Sequence, residues 1–294
     1  MNHYLISKPA ALFKVTGEDA ADYLQSQFSN DLRHPGVNNP VTYGLWLDQK
    51  GKVQGDSFIL QNDEESFLLL SYFCEKEALL ATVENNIIAD EVEIEDLTES
   101  ASIISLWGEG IAESLPASGE FKVNGSAYCF NGRRSVMSGE ILSLASTPEN
   151  EQSVIEELTL KNPDAWMQAS QKQADAERIR SGIPAIPQDI GPSDLPQEAG
   201  LEKDAVSFNK GCYLGQEVMA RLHAMGRAQR ALYRVILPES VKSLPLPVFS
   251  GEKKAGELRS ANEHNGLALL KRRIVEAKEP LHLGEPNGKP LEIK

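Results

Sequence analysis

The amino-acid sequence predicts an α+β protein, with antiparallel sheet layered against helices, that ends in a small β-barrel. Three patterns carry that expectation. Residues 41–72 read as three β-rich runs separated by short polar turns, as in an antiparallel meander. Stretches at 20–28, 75–88 and 149–161 repeat apolar residues at helical spacing, so each has one face to bury against a sheet. After Arg230, short strand-like runs alternate with proline and glycine, the spacing of a small barrel. A chain of 294 residues with 41% hydrophobic content can bury a sizeable core and usually builds two or three structural units.

In chain order, residues 12–15 form a strand, and Thr16 with Asp19 makes a capping-box-like entry to the first helix. Ala20, Leu24, Gln27 and Phe28 follow at helical spacing, and Asn30-Asp31 closes the helix. Strands are expected at 41–47, 53–60 and 67–72, with turns at 48–51 and 62–65. The 75–88 helix turns Leu79, Leu80, Val83, Ile87 and Ile88 to one side, and strands at 92–97 and 103–107 come next. The Gly- and Ser-rich stretch 108–150 holds short strands near 127–130 and 141–145. Arg133-Arg134 within it reads either as a solvated turn or as a pair able to reach a ligand. The 149–161 helix points Val154, Ile155 and Leu158 inward. Asn162 as N-cap and Pro163 as first residue start another helix, which runs to about Ser181 before Gly182 and Pro184 stop it. Residues 183–209 hold four prolines and little periodicity, and so long an irregular loop inside a compact protein is often functional. Barrel strands are expected at 232–237, 248–249, 255–259, 267–271 and 281–283. The chain thus divides at residue 229, with the body at 1–229 and the barrel at 230–294.

Composition narrows the function classes. Neither a run of 18 apolar residues nor a basic-then-apolar leader occurs, so no membrane span or signal peptide is expected and cytoplasmic residence is the default. Cys74, Cys129 and Cys212 are an odd number at wide spacings, which fits neither a disulfide framework nor a zinc site, and no metal site is expected. An iron-sulfur cluster held by this chain alone would want about four thiolates. Cys74 and Cys129 lie in apolar sequence and read as small core residues. The formal charge of -14 argues against direct nucleic-acid binding, which needs lysines and arginines to neutralise phosphates. Between residues 205 and 235, however, Lys210, Arg221, Arg227, Arg230 and Arg234 face only Glu217. That window suits a small anionic ligand, unless its arginines pair with acids elsewhere.

The chemistry concentrates within this window, in the run Lys-Gly-Cys-Tyr-Leu-Gly-Gln-Glu-Val-Met-Ala-Arg at 210–221. Gly211 and Gly215 let the backbone bend or approach a ligand closely. A helix start after them offers free amides to negative charge, so Cys212, beside Lys210, is expected to have thiolate character. Lys210, Gly211, Cys212, Tyr213, Gly215, Gln216, Glu217 and Arg221 resemble the signature of the YgfZ family, which is related to the aminomethyltransferase (T-protein) of glycine cleavage. Further likenesses lie at Asn30-Asp31, at residues 177–184, around Glu198 and at residues 255–261, so the resemblance touches nearly the whole chain.

The resemblance implies a body of two subdomains and a C-terminal barrel arranged around a central cleft. It implies a tetrahydrofolate-binding accessory protein supporting iron-sulfur cluster assembly or repair, with iron-sulfur client proteins and an effect on tRNA modification through iron-sulfur enzymes. Cys212 would then be the functional thiol and Lys210 its partner, with Arg180, Glu198, Lys210, Tyr213, Gln216, Glu217 and Arg221 as folate-binding candidates. The resemblance also leaves open a tetrahydrofolate-dependent aminomethyl transferase, or a thiol enzyme or RNA-modifying factor acting directly. T-proteins carry paired acidic residues shortly after a glycine at the first hairpin turn. Here Gln54 and Gly55 stand at those positions with Asp56 one place beyond, a departure that counts against transfer unless a one-residue bulge restores Asp56.

Overall fold

A computed structural model describes residues 1–112, 115–125, 127–159 and 165–294. The body opens with β1 (Asn2–Ser7), β2 (Ala11–Thr16) and α1 (Ala20–Gln27), followed by β3 (Val41–Leu47), β4 (Val53–Gln61) and β5 (Ser66–Ser71). Next come α2 (Lys76–Glu84), β6 (Glu93–Asp96), β7 (Ser102–Trp107), β8 (Phe121–Asn124), β9 (Ala127–Asn131) and β10 (Ser138–Ser143). α3 (Pro148–Thr159), β11 (Trp166–Gln168) and α4 (Gln171–Ser181) complete it, before the irregular 183–209 segment leads into α5 (Gln216–Met225). The last part comprises β12 (Arg230–Ile236), β13 (Leu246–Ser250), β14 (Lys253–Ala261), β15 (Asn265–Lys271), α6 (Arg272–Glu276), β16 (Leu281–Leu283) and β17 (Lys289–Ile293).

Two sheets and a barrel result. One sheet is antiparallel throughout, in the order β3-β4-β5-β2-β6, and contains the expected meander. The other runs β11-β1-β7-β10-β9-β8, antiparallel except where β11 joins β1 in parallel. β12 through β17 close into the C-terminal barrel, in the order β12-β15-β14-β13-β16-β17. The α+β class and the terminal barrel both follow the sequence patterns.

Strand periodicity sets the layers, because neighbouring side chains leave a strand on opposite faces. Leu12 packs with Phe58, Leu68 and Leu70 of its own sheet against Ile103, Phe130 and Leu142 of the other, so the two sheets share a core. Phe13 turns the opposite way, joining Leu24, Phe28, Leu79 and Val83 under α1 and α2. Ile104, next to Ile103, likewise faces Val154 and Ile155 of α3. A third core gathers Leu45, Leu47, Ile186, Ile190, Tyr213 and Leu269, and so ties the meander, the irregular segment and the barrel together.

Several local expectations are corrected. Asp19 is the N-cap of α1 but makes no capping bond; its carboxylate accepts from the Glu91 amide (2.8 Å) instead, a long-range partner that outcompetes the local one. α2 ends at Glu84, so Ile88 lies beyond it and is 92% exposed. β11 occupies residues 166–168 within the span read as helix, since pairing with β1 extends the chain there. α4 starts only after Ser170, which forms a full capping box with Gln173. Asn162, Pro163 and the Leu158 side chain lie outside the described residues. β1, β8 and β17 are strands that the sequence pattern does not predict.

Candidate functional site

The 210–221 run is clasped to the end of α1. A helix leaves its last carbonyls without intrahelical partners, and α1 has no basic residue in its last turn. Lys210 supplies one from far along the chain: its Nζ donates to the carbonyls of Gln25 (2.6 Å), Phe28 (2.8 Å) and Asn30 (2.8 Å). Burial draws its pKa down to about 8, with Asp31 opposing the shift. The Leu214 amide adds a bond to the Ser26 carbonyl (3.1 Å), and Ser29 Oγ donates to the Ala205 carbonyl (2.6 Å). Tyr213 is buried with its ring centroid 5.3 Å from the Lys210 ammonium, and its hydroxyl has no partner among the described residues.

Gly215 explains why the run needs glycine. Its φ is +84°, and a Cβ there would fall 2.6 Å from the Asp48 carbonyl oxygen, in the β3–β4 turn. Gly215→Ala is therefore expected to cost about 2 kcal/mol or more, read as a fall in the urea midpoint, because a left-handed alanine must also push a backbone away. An unchanged midpoint would show that the turn yields freely.

On this rigid base Cys212 is exposed, as are Glu217 and Arg221 on α5, while Gln216 is half-buried. Cys74 is fully buried and burial pushes its thiol up to about 12; burial also raises the Cys129 thiol. Thiol labelling at pH 8 is expected to modify Cys212 at least about tenfold faster than either, because it is exposed while burial shields the other two and holds them protonated. Equal rates for Cys212 and Cys129 would contradict this ranking.

Other residues singled out in the sequence lie elsewhere. Glu198 is buried and bidentate to Arg230 (2.7 and 2.8 Å), the first residue of the barrel. Asp194 joins Arg230 to Arg259 of β14, forming a lattice that fastens the 183–209 segment to the barrel. Arg180, 63% exposed, folds back onto Glu177 (2.6 Å) and lines an open cavity of about 540 Å³ with His3, Trp107 and Lys172. Among the described residues no hydrogen bond, ion pair or ring contact joins Arg180 to Lys210. None places three or more His, Cys, Asp or Glu side chains to hold a metal ion.

A second constellation, between the sheets, was only partly visible in the sequence. Trp46 pairs with Gly55 and Leu47 with Val53, so Gln54 is the extra residue of a β-bulge. Gly55 then faces the helices, where a Cβ would meet Cys74 Sγ at 3.1 Å, and Asp56 faces the other sheet. The Asp56 carboxylate is buried and accepts from Tyr43 Oη (2.8 Å) and Ser71 Oγ (3.0 Å). Burial raises its pKa to about 6 against the lowering effect of these hydrogen bonds and of Arg133. Arg133 and Arg134 do not form a solvated turn: Arg134 is buried over Tyr72 (4.7 Å), and Arg133 lies 4.0 Å over Tyr43. Glu140, fully buried, accepts from Ser105 Oγ (2.6 Å), and burial raises its pKa to about 7. The Asp56 carboxyl, next to Tyr43, Ser71 and Arg133 and with its pKa raised to about 6, can hold or release a proton in mildly acidic solution.

Two β-sheets, a barrel and this geometry define a protein of the glycine-cleavage T-protein fold. Residues 8–139 match the GCVT N-terminal domain and residues 230–293 the CAF17 C-terminal beta-barrel domain. The crystal structure of aminomethyltransferase T from Bartonella henselae superposes with a TM-score of 0.79 over 99% of this chain and 84% of that one, at 16% identity. Within that fold the chain is similar to YgfZ and IBA57 proteins. It is 28% identical to the tRNA-modifying protein YgfZ of Photobacterium profundum, over 76% of this chain and 67% of the relative. It is 26% identical to the mitochondrial iron-sulfur cluster assembly factor IBA57 of Mus musculus, over 93% of this chain and 78% of the relative.

Proposed function

We propose that this protein binds a reduced folate, tetrahydrofolate or a derivative, and supports iron-sulfur cluster assembly or repair, acting on tRNA modification through the iron-sulfur enzymes it serves. The observation that carries the reading is the buried Asp56 carboxyl with its hydroxyl donors and neighbouring rings. A buried carboxyl with two hydroxyl donors suits the N–H groups of a reduced pterin, and the aromatic rings of Tyr43, Tyr72 and Phe73 suit its flat body. The names of the YgfZ and IBA57 relatives support the iron-sulfur and tRNA side of the reading. Iron-sulfur client proteins are the partners it implies, and Cys212, exposed on its clasped loop, is the group positioned to meet them. No described helix is long and apolar enough to cross a membrane.

The test is calorimetric titration with tetrahydrofolate, paired with iron-sulfur enzyme activities in cells lacking the protein. Absence of folate binding sinks the first half of the reading, and unchanged enzyme activities sink the second. One observation favours an alternative, folate-dependent aminomethyl transfer: the bulge at Gln54 turns the Asp56 carboxylate toward Tyr43 and Ser71 between the sheets. Adding an aminomethyl donor to the folate complex decides between them, since transfer abolished by Asp56→Asn would establish the transferase.

A further inference from the structure

The chain that leads into the Lys210 clasp and the second half of α5 line an open cavity of about 640 Å³, a size typical of ligand sites. Three side chains on its wall carry the chemistry. Phe208 and His223 are stacked, with ring centroids 4.0 Å apart and planes 25° from parallel. His223 is exposed and Phe208 half-buried, so the pair offers ring surface to a ligand. Glu202 is the third, and its charge is uncompensated. The side chain is half-buried, it joins no ion pair among the described residues, and its Oε2 is covered without a hydrogen-bond partner. A covered acceptor left unpaired costs about 1–3 kcal/mol, and more when charged. The neighbouring wall groups do not answer it. Lys203 is exposed, and its long stem lets the ammonium stay in water. The Asn30 amide is spent on the carbonyls of Tyr43 (2.8 Å) and Asp204 (3.0 Å).

We infer that this cavity is a guanidinium site, filled by an arginine side chain of a partner protein. A guanidinium meets both features at once: it is flat enough to stack on ring surface, and its forked N–H donors match a carboxylate. An ammonium is a compact, strongly hydrated charge that gains less from the rings. A neutral aromatic ligand would use the rings and leave the carboxylate uncompensated. The cavity is also larger than a guanidinium alone, so it has room for the stem and the chain that delivers it. Asn209 on its wall is followed directly by Lys210, so an arginine held there brings its own chain toward the loop that exposes Cys212. The inference deepens the client-protein reading given above and rests on it for the partner's identity.

The experiment is an NMR titration of the full chain with N-acetyl-Gly-Arg-Gly-amide, its citrulline and lysine counterparts, and agmatine. The arginine peptide is expected to shift the amide signals of Glu202, Phe208 and His223. It should bind about tenfold more tightly than the citrulline peptide, which keeps the shape and loses the charge-assisted bond. Glu202→Gln, an isosteric change, should erase that preference. His223→Ala, at an exposed position, should weaken the arginine peptide by about two- to fivefold. A lysine peptide that binds as tightly as the arginine one overturns the guanidinium site, as does an arginine preference that survives Glu202→Gln or the absence of any shift. Agmatine bound while the arginine peptide is refused would overturn the protein source and assign the cavity to a small guanidine. These readouts are of binding to the isolated protein, so their failure is distinct from failure of the iron-sulfur reading, which is measured by enzyme activities in cells.

Discussion

Lys210→Met is expected to destabilise the protein by about 2 to 4 kcal/mol and to loosen the end of α1. Methionine keeps the apolar stem and removes the ammonium, stranding the carbonyls of Gln25, Phe28 and Asn30 in a covered site. Each hydrogen bond to a charged group is worth about 1.5–3 kcal/mol net, and a cation at a helix C-terminus adds a favourable dipole interaction. The burial that draws the ammonium's pKa down to about 8 offsets part of this gain, hence a net loss smaller than three full bonds. Urea unfolding gives the magnitude, and hydrogen exchange at the amides of residues 24–28 reports whether the loss is local. A variant within about 0.5 kcal/mol of wild type, the range of ordinary surface changes, would show that water replaces the lysine and that the clasp is dispensable. Cys212, two residues on, should lose its fixed position in the same variant.

That role for Lys210 could not be read locally, because its three partners lie 180 to 185 residues away in sequence. What the 210–221 run did disclose was location. Glycines, a thiol and a helix start marked it as more than packing, and Gly215 does meet a backbone closely. The meander and the barrel were legible for a simpler reason: each strand alternates or fills its own core, and its turns carry glycine, proline or polar residues. The short edge strand β11 was not, since only pairing with β1 extends residues that otherwise lead into a helix. Arg133 and Arg134 read as a turn because the rings that draw them inward, Tyr43 and Tyr72, belong to the other sheet. Asp56 hung on one residue of register. Whether Gln54 is paired or bulged decides which face carries the carboxylate, and a sequence states composition, not pairing.

Asp56→Asn should stabilise the protein at pH 8 and destabilise it slightly at pH 4, and the sign follows from the raised pKa. Below the ordinary aspartate value of 3.8 both folded and unfolded chains hold the proton, and burying the neutral acid costs little. As the pH rises the unfolded chain ionises first, while folded Asp56 keeps its proton to about 6, so stability falls across that window. A shift of this size amounts to about 3 kcal/mol lost by pH 8. Asparagine has no charge to bury and escapes that loss. It pays about 1 kcal/mol at any pH, because its NH₂ meets one of the two hydroxyl donors from Tyr43 and Ser71. The balance is a gain of about 2 kcal/mol at pH 8 that reverses to a loss of about 0.5 kcal/mol at pH 4, where the unfolded aspartate is already partly ionised. Urea unfolding at the two pH values measures it. Should Asp56→Asn instead weaken the fold at pH 8, the carboxylate is a net stabilising anion, held by Arg133 more strongly than burial opposes it. Its titration at about pH 6, and with it any proton transfer to a bound ligand, would then have to be abandoned. A gain in stability at pH 8 accompanied by lost folate binding would mark Asp56 as a group that strains the fold while serving the ligand.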